Sequence, residues 1–98
     1  MSNEKYVVTE LRKAIDTYKE RNAVYKDTYK IRGKVMEAIF PDGVVLKTAK
    51  DFNRFGMFTG VISKMIRYAA QLDNGGHYDS AHDAEVYAAM LNEIENEE

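Results

Sequence analysis

The chain has 98 residues, of which 45% are hydrophobic and 31% are charged, and its formal net charge is −2. This length fits one small domain, and these proportions exclude a disordered chain. The near balance of charges argues against non-specific DNA binding, and the absence of cysteine excludes disulfides and thiolate chemistry. We expect a cytoplasmic protein, because no apolar run reaches the roughly 20 residues of a membrane helix and the first residues do not resemble a signal peptide.

The first predicted helix covers about residues 4–24. The apolar residues on one of its faces recur at spacings of three and four, as in an amphipathic helix: Val8, Leu11, Ile15 and Tyr18. The same line continues to Asn22, a polar residue on an apolar stripe. Two interpretations stay open for Asn22: it is solvated because the helix is ending, or it faces a pocket.

The second predicted helix begins near Asp27, which is a suitable N-cap residue. Its apolar side consists of Ile31, Val35, Ala38 and Ile39. Residues 40–43, Phe-Pro-Asp-Gly, have the composition of a type I turn and should end the helix. Residues 44–46, Val-Val-Leu, favour a short extended piece, although the sequence offers it no partner strand.

The third predicted helix begins with a capping box, because Asp51 follows Thr48 by three residues. Its apolar face is the longest in the chain and consists of Phe52, Phe55, Phe58, Ile62, Met65, Ile66, Ala69 and Leu72. Gly56 and Gly60 lie one turn apart and should allow a close approach of another helix. Residues 73–76, Asp-Asn-Gly-Gly, are a strong helix stop.

The fourth predicted helix opens with Ser80, and Asp83 three residues later gives a second capping-box pattern. Its apolar stripe consists of Ala84, Tyr87, Ala88, Leu91 and Ile94. The acidic end, residues 93–98, should be frayed helix. The sequence therefore predicts an all-α fold: a single domain over residues 1–98, with three to four helices, the last two forming an antiparallel hairpin.

Two cations on the third helix, Lys64 and Arg67, share a polar stripe with Gly60 and Gln71. This stripe is either an ordinary solvated face, a site for an oxyanion or phosphate, or a surface that pairs with a second subunit.

The fourth helix carries Asp83 inside its broad apolar arc, so we expect this carboxylate to be buried and paired with a cation, Arg67 or Arg21 first. The alternative is that Asp83 is only a capping acceptor. Asp79 lies one turn earlier, and two carboxylates at this spacing can share a cation. His77 is either a donor near Asp79 or an exposed loop residue, and the spacing of the two histidines argues against a zinc site.

Three spaced groups of residues carry a resemblance to a known family: Arg21-x3-Tyr25, Lys64-x2-Arg67 and His77-x-Asp79-Ser80-x2-Asp83-x3-Tyr87. Over residues 21–92 the chain resembles small, mostly phage-encoded all-α proteins described as nucleotide-modification-associated. It is more distantly similar to MazG-like nucleoside triphosphate pyrophosphohydrolases. Those enzymes hold magnesium with paired acidic motifs, and the third helix here has no E-x-x-E motif.

The resemblance implies a phage protein of the host cytoplasm that binds a nucleotide-type phosphorylated ligand, with sequestration of a host signalling nucleotide (anti-defence) as its role. The expected ligand-binding residues are Arg21, Tyr25, Lys64, Arg67, His77, Asp79, Asp83 and Tyr87. We expect no cofactor and no metal. One alternative is a magnesium-dependent pyrophosphohydrolase using Asp79 and Asp83; another is a helical interaction module or host inhibitor without a small ligand.

Two further expectations concern assembly and the place of the site. The phenylalanines of the third helix and its glycine-bearing face offer more surface than a small bundle hides, which predicts a homo-oligomer, most simply a dimer. The site is expected between the third and fourth helices near their connecting turn, with a contribution from the end of the first helix. Opposite charges meet there beside unpaired backbone N–H groups that suit a phosphate.

Overall fold

The computed structural model describes residues 5–97, which form one small all-α domain. Four α-helices follow one another along the chain: α1 (Tyr6–Tyr25), α2 (Thr28–Ile39), α3 (Ala49–Ala70) and α4 (Tyr78–Glu95). Residues 44–46 connect α2 to α3 without pairing into a sheet, and the described residues contain no strand. The predicted all-α fold class is confirmed.

The helix boundaries of α3 follow the local sequence signals. Thr48 is the N-cap, its side chain accepts from the Asp51 backbone N–H, and the Asp51 carboxylate accepts from the Thr48 N–H, so the predicted capping box is present. The helix ends at Ala70, and a short 3-10 turn leads to Gly75 and Gly76, whose φ angles are 90° and 80°. These left-handed conformations favour glycine and turn the chain back toward α4.

Helices α3 and α4 form an antiparallel hairpin. Lys50 donates to the backbone carbonyl of Glu97 at 2.9 Å, Arg54 pairs with Glu95, and Lys64 pairs with Asp83 at 3.2 Å. As the residue number rises along α3, the partner number falls along α4, which defines the antiparallel direction.

These two helices approach each other closely at Gly60. A Cβ atom added there would lie 2.9 Å from the Tyr87 ring, whereas one added at Gly56 would meet nothing within 4 Å. Both glycines are expected to allow close packing of another helix. Within the described residues Gly60 packs closely against Tyr87, whereas Gly56 has no such neighbour.

Helix α2 packs on another side of α3 and also runs antiparallel to it. At one end the Phe40 ring lies 6.1 Å from the Phe55 ring and 5.9 Å from the Phe58 ring, centroid to centroid. At the other end Arg32 donates to the Ser63 hydroxyl at 3.3 Å. The Gly43 N–H donates to the Phe40 carbonyl at 3.0 Å and closes the predicted turn after α2.

Helix α1 stands away from the rest of the domain and touches α3 only near its own C-terminal end. There Gln71 donates to the Val24 carbonyl. The link to α2 runs through Lys26, which has φ 56° and ψ −147°, close to a region that only glycine occupies without strain. Asn22 is half-buried, and its amide lies beside the Lys26 carbonyl and the Asp27 carboxylate, so that an amide nitrogen turned to that side donates to both. Of the two interpretations of Asn22, the structure favours the inward-facing one.

The start of α4 differs from the prediction. The helix begins at Tyr78 rather than at Ser80, because the His77 ring acts as the N-cap and accepts from the Ser80 N–H at 3.3 Å. The Ser80 hydroxyl lies 2.6 Å from the same ring nitrogen, and Ser80 is only 1% exposed. At its other end α4 continues to Glu95, whose carboxylate pairs with Arg54.

Between residues 5 and 97, no helix has both the length and the apolar character needed to cross a bilayer.

Candidate functional site

A cleft of about 610 Å³ opens between α1 and α2, with α3 closing its inner end. We call it the α1–α2 cleft. Its lining residues are Glu10, Lys13, Ala14, Thr17, Tyr18, Arg21, Asn22, Tyr25, Lys26, Thr28, Tyr29, Arg32, Ser63 and Arg67. The volume lies within the range of about 300–1,000 Å³ that small-molecule sites occupy.

The lining of the α1–α2 cleft is strongly basic. Five of its side chains are cationic: Lys13, Arg21, Lys26, Arg32 and Arg67. Glu10 is the one carboxylate of the lining, and it is held by Lys13 at 3.2 Å. The remaining four cations therefore face the cleft without a lining carboxylate to balance them. Such a cleft attracts anions, and its three guanidinium groups can each form paired hydrogen bonds to a phosphate.

Aromatic rings line the same space. Tyr18 and Tyr29 meet edge to face, with ring centroids 6.5 Å apart, and hydrogen bonding with Tyr29 raises the pKa of the Tyr18 phenol above its ordinary value. The Tyr18 phenol therefore stays neutral at physiological pH. Neutral tyrosine rings can stack on a flat heterocycle, and their hydroxyls can donate to it.

The inner end of the cleft is formed by Arg67, whose guanidinium carbon lies 4.7 Å from the centre of the Tyr25 ring. The Tyr25 ring also contacts His77, edge to face, with centroids 5.7 Å apart. This cation–π contact fixes Arg67 at the junction of α1, α3 and α4. Arg32 is likewise held by Ser63 of α3. The guanidinium groups of Arg32 and Arg67 are thus held in place by contacts with other helices in the absence of a ligand.

The structure brings together three of the sequence-predicted site residues in the cleft: Arg21, Tyr25 and Arg67. His77 contacts the Tyr25 ring but does not line the cleft. The predicted meeting of the ends of α1, α3 and α4 therefore occurs. The open space, however, lies on the α2 side of that meeting point and not between α3 and α4.

Lys64, Asp83 and Tyr87 form a separate cluster at the α3–α4 contact. Lys64 pairs with Asp83 at 3.2 Å, and its ammonium lies 6.0 Å from the centre of the Tyr87 ring. The expectation that Asp83 is buried and paired with Arg67 or Arg21 is wrong: its side chain is 45% exposed, and its partner is Lys64. Asp83 sits too far along α4 to reach Arg67, because the antiparallel register places it opposite Lys64.

Asp79 is exposed on the first turn of α4 and lies apart from the α1–α2 cleft. Within residues 5–97, no three histidine, cysteine or carboxylate side chains converge closely enough to hold a metal ion.

Sequence reasoning missed Lys13, Lys26 and Arg32, together with Tyr18 and Tyr29, as lining residues. A signal for them exists in the distribution of charge. Residues 5–39 contain nine lysines and arginines against five carboxylates, whereas no lysine or arginine follows Arg67. The basic half of the chain is the half that forms the cleft.

No family model, curated protein or solved structure matches the chain.

Proposed function

We propose that the protein binds a nucleotide-type phosphorylated ligand in the α1–α2 cleft. The observation that supports this proposal is the combination in one cleft of five cations, a single carboxylate already paired with lysine, and three tyrosines. Phosphate groups can form charge-assisted hydrogen bonds with the cations, and a nucleobase can stack on the aromatic rings. A purely apolar or purely anionic ligand would use only half of this lining.

Each part of the cleft has a distinct role in the proposal. Arg32 and Arg67, which Ser63 and Tyr25 hold in place, bind phosphate oxygens. Tyr29 and Tyr18, on the outer part of the cleft, bind the base. Preorganised guanidinium groups lose less side-chain entropy on binding than free ones, so these two should dominate affinity.

The biological role that we propose is sequestration of a host signalling nucleotide by a phage protein, as the family resemblance implies. We also propose that the chain forms a homo-oligomer, for which the support is the aromatic surface and the glycine-bearing face of α3. Of the alternatives, magnesium-dependent hydrolysis has little support in the geometry, because Asp83 pairs with Lys64 and, within residues 5–97, no three histidine or carboxylate side chains converge to hold a metal ion.

The first test is thermal unfolding of the protein with a panel of nucleoside mono-, di- and triphosphates and cyclic dinucleotides, each with EDTA and with Mg²⁺. A ligand present at 1,000 times its Kd stabilises the fold by about 4 kcal/mol, which is easily measured. Stabilisation in EDTA supports the proposal. Stabilisation that requires Mg²⁺ favours the hydrolase, and none at all favours an interaction module without a small ligand; either result overturns the proposal.

The second test places the ligand in the cleft. Arg67→Gln and Arg32→Gln each remove one charged hydrogen-bonding group, worth about 1.5–3 kcal/mol, so affinity by calorimetry should fall roughly 10- to 150-fold. Lys34→Gln removes an equal charge from α2 outside the lining and should leave affinity unchanged. If all three variants bind alike, the ligand does not lie in this cleft.

A further inference from the structure

The isolated chain leaves far more surface uncovered than a folded monomer of its size. Its accessible surface is 7862 Å², whereas a compact monomer of 11.2 kDa exposes about 5,700 Å², an excess of about 2,200 Å². Its radius of gyration is 17.4 Å, against about 12.6 Å for a compact domain of this length. The excess surface area of about 2,200 Å² lies within the area of about 1,000–2,500 Å² that each partner buries in an obligate dimer.

The uncovered surface has an apolar centre on α1. Val8, Leu11, Ile15 and Tyr18 lie on one face of the helix, and between 37% and 60% of each is exposed. We call these four residues the α1 stripe. Of the four, Tyr18 meets the Tyr29 ring of α2, while Val8, Leu11 and Ile15 stay largely open to solvent in the described chain. A contiguous apolar helix face of this kind marks an interaction surface.

A row of cations borders the α1 stripe. Lys5 at the N-cap and Arg12 and Lys19 within α1 recur every seven residues and therefore follow one line along the helix. If two copies of α1 paired with each other in opposite directions, these rows would face one another. The cation row therefore favours an acidic helix as the partner of α1.

Helix α4 supplies such a partner surface. It carries five carboxylates and no lysine or arginine. On the side turned away from α3, Val86 and Met90 are 38% and 46% exposed, with Asp79 and Glu93 at either end of the same face. The lengths also match, because α1 has 20 residues and α4 has 18.

We propose that a second copy of the chain covers the α1 stripe with the outer face of its α4, and that the contact is reciprocal. A two-fold dimer then contains two identical α1–α4 contacts, as an isologous interface requires. The apolar side chains of α1 meet Val86 and Met90, while the cation row meets Asp79 and Glu93 on the outer face of α4. Because Tyr18 belongs both to the stripe and to the lining of the α1–α2 cleft, the second copy borders the cleft.

Sedimentation equilibrium at several hundred micromolar tests the proposal on the full chain. The protein should sediment at twice 11.2 kDa, and Leu11→Asp, which places a charge in the stripe, should sediment as a monomer of unchanged helix content by circular dichroism. A monomeric parent protein, a dimeric Leu11→Asp variant or an assembly larger than two copies would overturn the proposal.

Charge reversal identifies the partner helix. Lys19→Glu and Glu93→Lys should each weaken self-association at least fivefold, and an equimolar mixture should recover the parent affinity within about twofold, because both contacts of the mixed dimer are then complementary. Lys34→Glu and Glu85→Lys, which reverse exposed charges elsewhere on α2 and α4, serve as matched controls. A Glu93→Lys variant that dimerises like the parent protein, or a mixture that recovers nothing, would exclude α4 as the partner.

Discussion

Substituting Gly60 by alanine should weaken the α3–α4 hairpin. The new Cβ would lie 2.9 Å from Cδ2 and 3.3 Å from Cε2 of the Tyr87 ring. A carbon–carbon distance of 2.9 Å is not tolerated, so the ring or the helix must shift. Crowding of this kind costs about 1–3 kcal/mol, while alanine gains about 1 kcal/mol over glycine inside a helix. Gly60→Ala should therefore range from neutral to about 2 kcal/mol less stable than the parent protein.

The matched control lies one turn earlier on the same helix. Gly56→Ala adds the same methyl group, but nothing lies within 4 Å of it. Only the propensity gain remains, and this variant should be up to about 1 kcal/mol more stable. The difference between the two variants isolates the steric cost of the contact with Tyr87.

Urea denaturation followed by circular dichroism, at one fixed protein concentration, measures both variants. For a domain of about 100 residues, each kcal/mol corresponds to roughly 4–8 °C in Tm, so thermal scans give a second measurement. Equal stabilities of the Gly56→Ala and Gly60→Ala variants would refute the close packing. A Tyr87→Leu background offers a further check, because there Gly60→Ala should no longer be the worse of the two.

Three other changes have expected outcomes that the same denaturation assay can measure. Thr48→Ala removes the N-cap acceptor of α3 and should cost about 1 kcal/mol, while Thr48→Ser should cost little. Hydrogen bonds from the Lys47 and Thr48 backbone N–H groups lower the pKa of the Asp51 carboxyl below 3.8. The ionised carboxylate therefore stabilises the folded protein fully above pH 3.8, and this stabilisation is lost as the pH falls through the lower folded-state pKa. Asp51→Asn should lose less stability on acidification than the parent protein. Asp83→Asn should cost under about 1 kcal/mol, because the carboxylate that pairs with Lys64 is 45% exposed; a loss of 3 kcal/mol or more would contradict this.

Local signals in the sequence predict the fold well where the determining groups are neighbours in the chain. The capping box of Thr48 and Asp51 needs only residues three apart, and the Gly75–Gly76 stop needs only backbone freedom. The start of α4 is predicted wrongly because Ser80 and Asp83 match a capping pattern, whereas the His77 ring occupies the cap and Ser80 is buried behind it. A tertiary contact overrides the local pattern there.

The candidate site depends on contacts that no local pattern encodes. Arg67 and Tyr25 are predicted as site residues on different helices. In the structure the guanidinium carbon of Arg67 lies 4.7 Å from the centre of the Tyr25 ring. The pairing of Asp83 with Lys64 depends on the register of two antiparallel helices. Apolar periodicity defines which faces meet but does not fix that register to better than one helical turn. The cleft itself depends on the angle between α1 and α2, and apolar spacing carries no information about that angle.

That angle is set in the two-residue link between the helices, where Lys26 has φ 56° and ψ −147° and Asp27 has φ −91° and ψ 34°. Helix α1 acts as a lever about this point: it is about 30 Å long, so a rotation of ten degrees at Lys26 would move its far end by about 5 Å. The width of the cleft, and hence the size of molecule that it admits, therefore depends on the dihedral angles of this link as well as on the side chains that line it. A substitution at Asp27, which does not line the cleft, could therefore change the size of ligand that fits without altering a side chain of the lining.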